Sequence, residues 1–242
     1  MKLYQMLLTA LATSGLLAVF SIPVIPAAEA QMIPVAKKHE DCDNCLVGQG
    51  DALWTYNEIP VCWEKEDIEV AEADKNVVQR AIADTWGKHS VLSFVGWGEC
   101  DDYADGIRIS VRDSYSTPKV LNYGVFLDGF PDGMQLNFNL FKTGEWQRCD
   151  GRRDWCIQVQ AIHEFGHAVG FHHEQRRSDI HEAAPDCAKD HPNIVAIQEE
   201  IILSDYDKNS IMNYCNVKWA GYGRMSAKDI SGFQKAYGVP GS

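Results

Sequence analysis

An α+β domain is the fold class this sequence predicts. Strand-like runs cluster in its first half, the segment 67–87 repeats apolar residues at helical spacing, and 154–169 and 226–237 read as two further helices. With 242 residues, 45% of them hydrophobic and 10% aromatic, the chain is long and apolar enough for one globular core.

The elements follow in chain order. Residues 1–30 read as an export signal: Lys2 supplies a positive start, 7–19 is mostly apolar, and Ala28-Glu29-Ala30 has the small-residue pattern of a cleavage site. The mature chain is expected to begin near Gln31. Ser14 and Gly15 interrupt the apolar run and Pro23 and Pro26 follow it, which leaves it short for a membrane span, and stable membrane insertion is not expected. Residues 31–50 read as a polar extension or short pro-segment ending in Gly48-Gln49-Gly50, with the folded domain over 51–242.

Leu53-Trp54-Thr55-Tyr56 and Ile59-Pro60-Val61-Cys62-Trp63 supply the first strand-like positions. Val70, Val77, Val78, Ala81, Ile82 and Trp86 then make one buried helical stripe. Strands at 91–95 and 107–111 are separated by a turn through Gly98, Asp101, Asp105 and Gly106, and 120–127 and 134–140 complete the sheet. The helix at 154–169 ends at Gly170, because glycine enters the left-handed conformation without a Cβ penalty. Beyond it 178–192 reads as loop, and 194–202 is apolar and fits either a helix or a strand.

A formal net charge of −12 and a pI near 5.0 disfavour a nucleic-acid partner. All eight cysteines follow the expected cleavage point, and an even count in an exported chain points to disulfides formed in an oxidising compartment, extracellular or, in a bacterium, periplasmic. Eight cysteines allow on the order of a hundred pairings, so only the local pair Cys149 with Cys156 is singled out. Oligomeric state is left open.

Residues 163–173 carry the chemistry. They read His-Glu-Phe-Gly-His-Ala-Val-Gly-Phe-His-His. Positions i and i+4 share a helix face, so His163 and His167 present two imidazoles to one ion. A catalytic zinc takes three protein ligands and keeps an open position, and a chain reversal at Gly170 brings His173 back as the third. Glu164, beside the first ligand, is placed to take a proton from the attacking water and pass it to the leaving amine. Chance produces short histidine and glutamate patterns, but the extension through Gly170 and His173 argues against it here. His172 is read as a supporting or surface residue.

His163, Glu164, His167, Gly170 and His173 match every fixed position of the metzincin motif HExxHxxGxxH, and Ser210-Ile211-Met212-Asn213-Tyr214 resembles the methionine-containing turn of that clan. Glu174, Arg177 and Asp179 look most like the continuation found in astacins. Asn213, where astacins usually have histidine, a short 179–210 interval, and a closing segment similar to that of matrixins set the chain apart within the clan. The resemblance implies a metzincin-like α+β fold, with a twisted mixed sheet, an active-site helix and an irregular C-terminal subdomain. It implies a secreted zinc-dependent endopeptidase acting on protein or peptide substrates, with His163, His167 and His173 on one Zn²⁺ and Glu164 as base. Met212 becomes a floor beneath the zinc. Tyr214 is either a catalytic phenol that stabilises the oxyanion or a packing residue.

Three further expectations come with it. A mature amino terminus would be buried near Glu174. Cys42, Cys45 or Asp51 would block the metal in a latent precursor, with a plain disulfide as the alternative for the cysteines. The stretch 133–140 would be either the edge strand to which a peptide adds or an internal strand. Asp101, Asp102, Asp105, Asp128 and Asp132 sit beside turn signals, so structural calcium is not among the expected cofactors.

Overall fold

A computed structural model describes residues 45–65, 70–112, 117–139, 149, 151–192, 200–216 and 220–241. The expected signal, most of the 31–50 extension, and Cys42 with the Cys45 side chain lie outside the described residues, as does 194–199.

The strands are β1 (Cys45–Gln49), β2 (Glu58–Trp63), β3 (Ser93–Glu99), β4 (Ile107–Val111), β5 (Lys119–Val120), β6 (Met134–Leu136) and β7 (Glu200–Ser204). Five of them form one mixed sheet in the order β3-β2-β4-β6-β5, parallel throughout except for antiparallel β5 at one edge. β1 pairs antiparallel with β7 in a separate two-stranded sheet, so backbone pairing begins before the boundary expected at Asp51. The helices are α1 (Glu72–Ala83), α2 (Trp86–His89), α3 (Arg153–Ala168), α4 (Ile180–Ala183), α5 (Pro185–Asp190) and α6 (Ala227–Tyr237).

The core explains the order. Ile59, Val61, Ile107, Ile109, Val111, Met134 and Leu136 from the sheet are buried with Val78, Ala81 and Ile82 of α1 and most of α3. Arg153 in the first turn of α3 makes a two-pronged ion pair with Asp74 of α1, which fixes the two helices against each other. Gln160 of α3 exchanges two hydrogen bonds with the backbone of Asn137, at 2.8 and 2.7 Å, locking the helix to the end of β6.

Several elements differ from the sequence expectation. The helical stripe over 67–87 breaks after Ala83. The Thr85 hydroxyl donates to the carbonyl of Ala81, and α2 turns Trp86 inward, where its indole N–H donates to Ile162 at 2.8 Å. The strand expected at 120–127 stops at Val120. Gly124 has φ 51° and sits so close to the Ala52 carbonyl that a Cβ would clash, and a 3-10 turn follows over Gly124–Leu127. The region 178–192 holds the two short helices α4 and α5, because Ile180, Cys187 and Ala188 bury one face together. The ambiguous 194–202 contributes β7 from Glu200 onward. The closing helix is as expected, and Ser226 with Asp229 forms a capping box at its start.

Candidate metal centre

Helix α3 is buried at every residue from Cys156 to Ala168 except Gln158, so His163, Glu164 and His167 stand in the interior. His163 and His167 lie one turn apart on α3. Gly170, at φ 91°, then reverses the chain, with its N–H bonded to His167 O at 2.9 Å and Phe171 N–H bonded to Gly166 O at 2.9 Å. That turn returns His173 to the helix. Its Nε2 lies 3.0 Å from Nε2 of His163 and 3.0 Å from Nε2 of His167.

The second face of each helix histidine decides its tautomer. Nδ1 of His163 is 2.8 Å from the Ile211 carbonyl, and Nδ1 of His167 is 2.7 Å from the Phe171 carbonyl. A carbonyl only accepts, so both Nδ1 atoms carry protons and both Nε2 atoms present bare lone pairs to the centre. Burial pulls His163 down to about 4; burial and the neighbouring rings take His173 to about 2 and His167 well below its ordinary value. All three rings are neutral at pH 7. This donor set fits zinc. Zn–N bonds of about 2.0–2.1 Å in a tetrahedron set nitrogens roughly 3.3 Å apart, and all three ligand atoms lie within 4.8 Å of one another.

Glu164 is 5% exposed. Desolvation raises its carboxyl to about 8, partly offset by the backbone N–H of Val120. A cation at the three nitrogens favours the ionised form and acts in the opposite direction.

The turn beneath the histidines is tied from both sides. Asp229 of α6 accepts from Ser210 Oγ at 2.6 Å and from Ile211 N–H at 3.0 Å, and Glu174 N–H donates to Met212 O at 3.0 Å. Met212 is fully buried. Tyr214 is exposed, its ring stacked on His163 at 5.4 Å and tilted over His173 at 4.2 Å, while its N–H donates to Gln175 Oε1. The Cys187–Cys215 disulfide anchors the residue after it to α5. Cys149 bonds Cys156, the expected local pair, and Cys62 bonds Cys100.

The other candidates separate. Glu174 is fully buried: Asp207 N–H donates to its Oε2, Arg177 lies 3.7 Å away, and Oε1 has no hydrogen-bond partner among the described residues. His172 is 4% exposed, with neither nitrogen hydrogen-bonded among the described residues and its ring packed on Tyr123 at 4.3 Å, and so is interior rather than a surface residue. Asp51 is exposed in the 3-10 turn Gly50–Ala52 and is not grouped with the histidines. β6, within 133–140, runs between β4 and β5 and is therefore internal; β5 holds the edge. Tyr123, which touches His167 and His172, was not legible from the sequence, where it is a lone aromatic beside a turn glycine.

No protein-family model matches the chain, and no curated protein matches it. Solved structures do. Two structures of myroilysin superpose with TM-scores of 0.55 and 0.50 at 17% and 16% identity, the first covering 79% of this chain and 98% of that one, the second 87% and 98%. High choriolytic enzyme 1, a hatching enzyme zinc-protease from the medaka fish Oryzias latipes, is matched over 75% of this chain and 90% of its own at 20% identity and a TM-score of 0.48. A mixed five-stranded sheet backed by a helix that carries two histidines, with the third returned by a glycine turn, is the metzincin-like α+β fold that the extended motif implies, and this chain shares its fold with myroilysin.

Proposed function

We propose that the chain is a secreted, astacin-like zinc endopeptidase. The observation that carries this reading is the convergence of three neutral imidazoles, two of them with proton-free Nε2 atoms, beside a buried glutamate. His163, His167 and His173 would hold the ion, which when bound supplies Lewis acidity toward a carbonyl and toward water.

Glu164 takes the proton of the attacking water and delivers it to the leaving amine, and its burial keeps bulk solvent from competing for that proton. Tyr214, lying over two of the three imidazoles, donates a hydrogen bond to the oxygen on which charge develops. The substrate backbone adds to β5, the edge strand nearest Glu164, rather than to β6. Residues 1–30 are removed as a signal, and three disulfides among the described residues accord with an oxidising compartment. Residues 31–50 act as an extension or pro-segment, and Glu174, whose Oε1 has no partner among the described residues, is the acceptor for a mature amino terminus.

The test is a peptide library offered to the purified mature protein with its zinc content measured, alongside Glu164→Ala. Loss of cleavage with zinc retained supports the assignment. Equal cleavage by Glu164→Ala would sink the mechanism, and no cleavage by zinc-loaded parent protein would favour a binding role.

A further inference from the structure

Two tyrosines bracket the three histidines. Tyr214 lies over His163 and His173, whereas Tyr123 meets the remaining ring, edge-on to His167 with centroids 5.3 Å apart, and is backed by His172. Its ring is thus held on two sides. Its backbone is held as well, since the next residue is Gly124, pressed against the Ala52 carbonyl.

Among the described residues the hydroxyl of Tyr123 has one polar neighbour. Arg176, in the 3-10 turn Glu174–Arg176 directly after His173, faces it as a donor. A guanidinium has donors only, so this contact uses an oxygen lone pair and leaves the phenolic proton free. Among the described residues no acceptor takes that proton, and no carboxylate pairs with Arg176. Both phenols lie close enough to Glu164 to feel its charge.

We propose that Tyr123 is a second catalytic phenol, donating a hydrogen bond to the carbonyl oxygen of a peptide seated over the three histidines, with Arg176 as its positioning residue. The proposal rests on the endopeptidase reading above. The proton stays on Tyr123; only a hydrogen bond strengthens as negative charge gathers on the substrate oxygen. Tyr214 and Tyr123 then approach that oxygen from opposite sides of the metal centre.

Tyr123→Phe keeps the ring packed on His167 and His172 and removes only the hydroxyl. Its kcat on a peptide substrate is expected to fall by about 100-fold, with KM within about threefold. Zinc content and thermal midpoint should match the parent. Affinity for a phosphinic peptide, which mimics the tetrahedral oxyanion, should fall in the same variant by calorimetry. Arg176→Gln should lower kcat less, and Arg176→Lys should recover part of the loss. A kcat within about twofold of the parent, with unchanged phosphinic-peptide affinity, would overturn the proposal. If the zinc-loaded parent shows no Glu164-dependent hydrolysis, the endopeptidase reading fails, while the calorimetry still decides Tyr123. Weaker binding by Tyr123→Phe supports a substrate-facing hydroxyl, and equal binding, or binding by neither protein, excludes it.

Discussion

The thioether of Met212 fills the space that a side chain at Gly166 would need. A Cβ added at Gly166 would press on Met212 Sδ and stand 3.0 Å from both Met212 Cε and Trp86 Cζ2. The glycine inside the histidine motif is therefore what allows the turn at 210–214 to pass directly beneath α3.

Gly166→Ala should destabilise the protein even though alanine favours helix by about 1 kcal/mol over glycine. Overpacking costs typically ~1–3 kcal/mol, so a net loss of up to about 2 kcal/mol in denaturant unfolding is expected. Combined with Met212→Ala, it should cost less than the sum of the two single changes, because the clash with the thioether is gone. A more stable Gly166→Ala protein would show that the contact yields freely.

Metal should stabilise the fold. At free zinc about 100-fold above Kd the gain is roughly 2.7 kcal/mol, and it should vanish on chelation. In His173→Ala the melting temperature should no longer respond to zinc, because only two donors remain. An identical zinc response in that variant would remove His173 from the ligand set.

Glu64 and Arg108 give the fold an acid-sensitive tie. Arg108 Nε and Nη2 donate to the two carboxylate oxygens of Glu64 at 2.8 and 3.0 Å, and Asp132 N–H donates to Oε1. The hydrogen bonds from Arg108 outweigh burial and hold the carboxyl below its ordinary 4.5. A lowered folded-state value means the stabilisation is full above about pH 4.5 and is lost as pH falls through the folded value. Glu64→Gln should cost about 3 kcal/mol at pH 7, with the gap to the parent closing as pH falls below about 4.5. A gap that stays constant over that range would count against the pair.

The Cys187–Cys215 disulfide closes a 28-residue separation between α5 and the turn that carries Tyr214. Loop-closure entropy for such a span is about 3–4 kcal/mol. Replacing both cysteines by serine should lower stability by that order and reduce kcat more than zinc affinity, since Tyr214 is adjacent and the three histidines are not. Unchanged kcat would place Tyr214 outside the chemistry.

What the sequence determined by itself is local. The i, i+4 histidines, the glycine reversal after them, the Cys149–Cys156 pair and the capped closing helix each follow from spacings of a few residues, where backbone geometry leaves little choice. Clan-level motifs also carried the fold class. The tertiary structure decided relations between distant segments. It put β5 rather than β6 at the sheet edge, broke the first helix so that Trp86 could reach Ile162, and brought Tyr123 against His167. Those positions depend on how side chains from separate elements share one densely packed interior, and no local periodicity encodes that sharing.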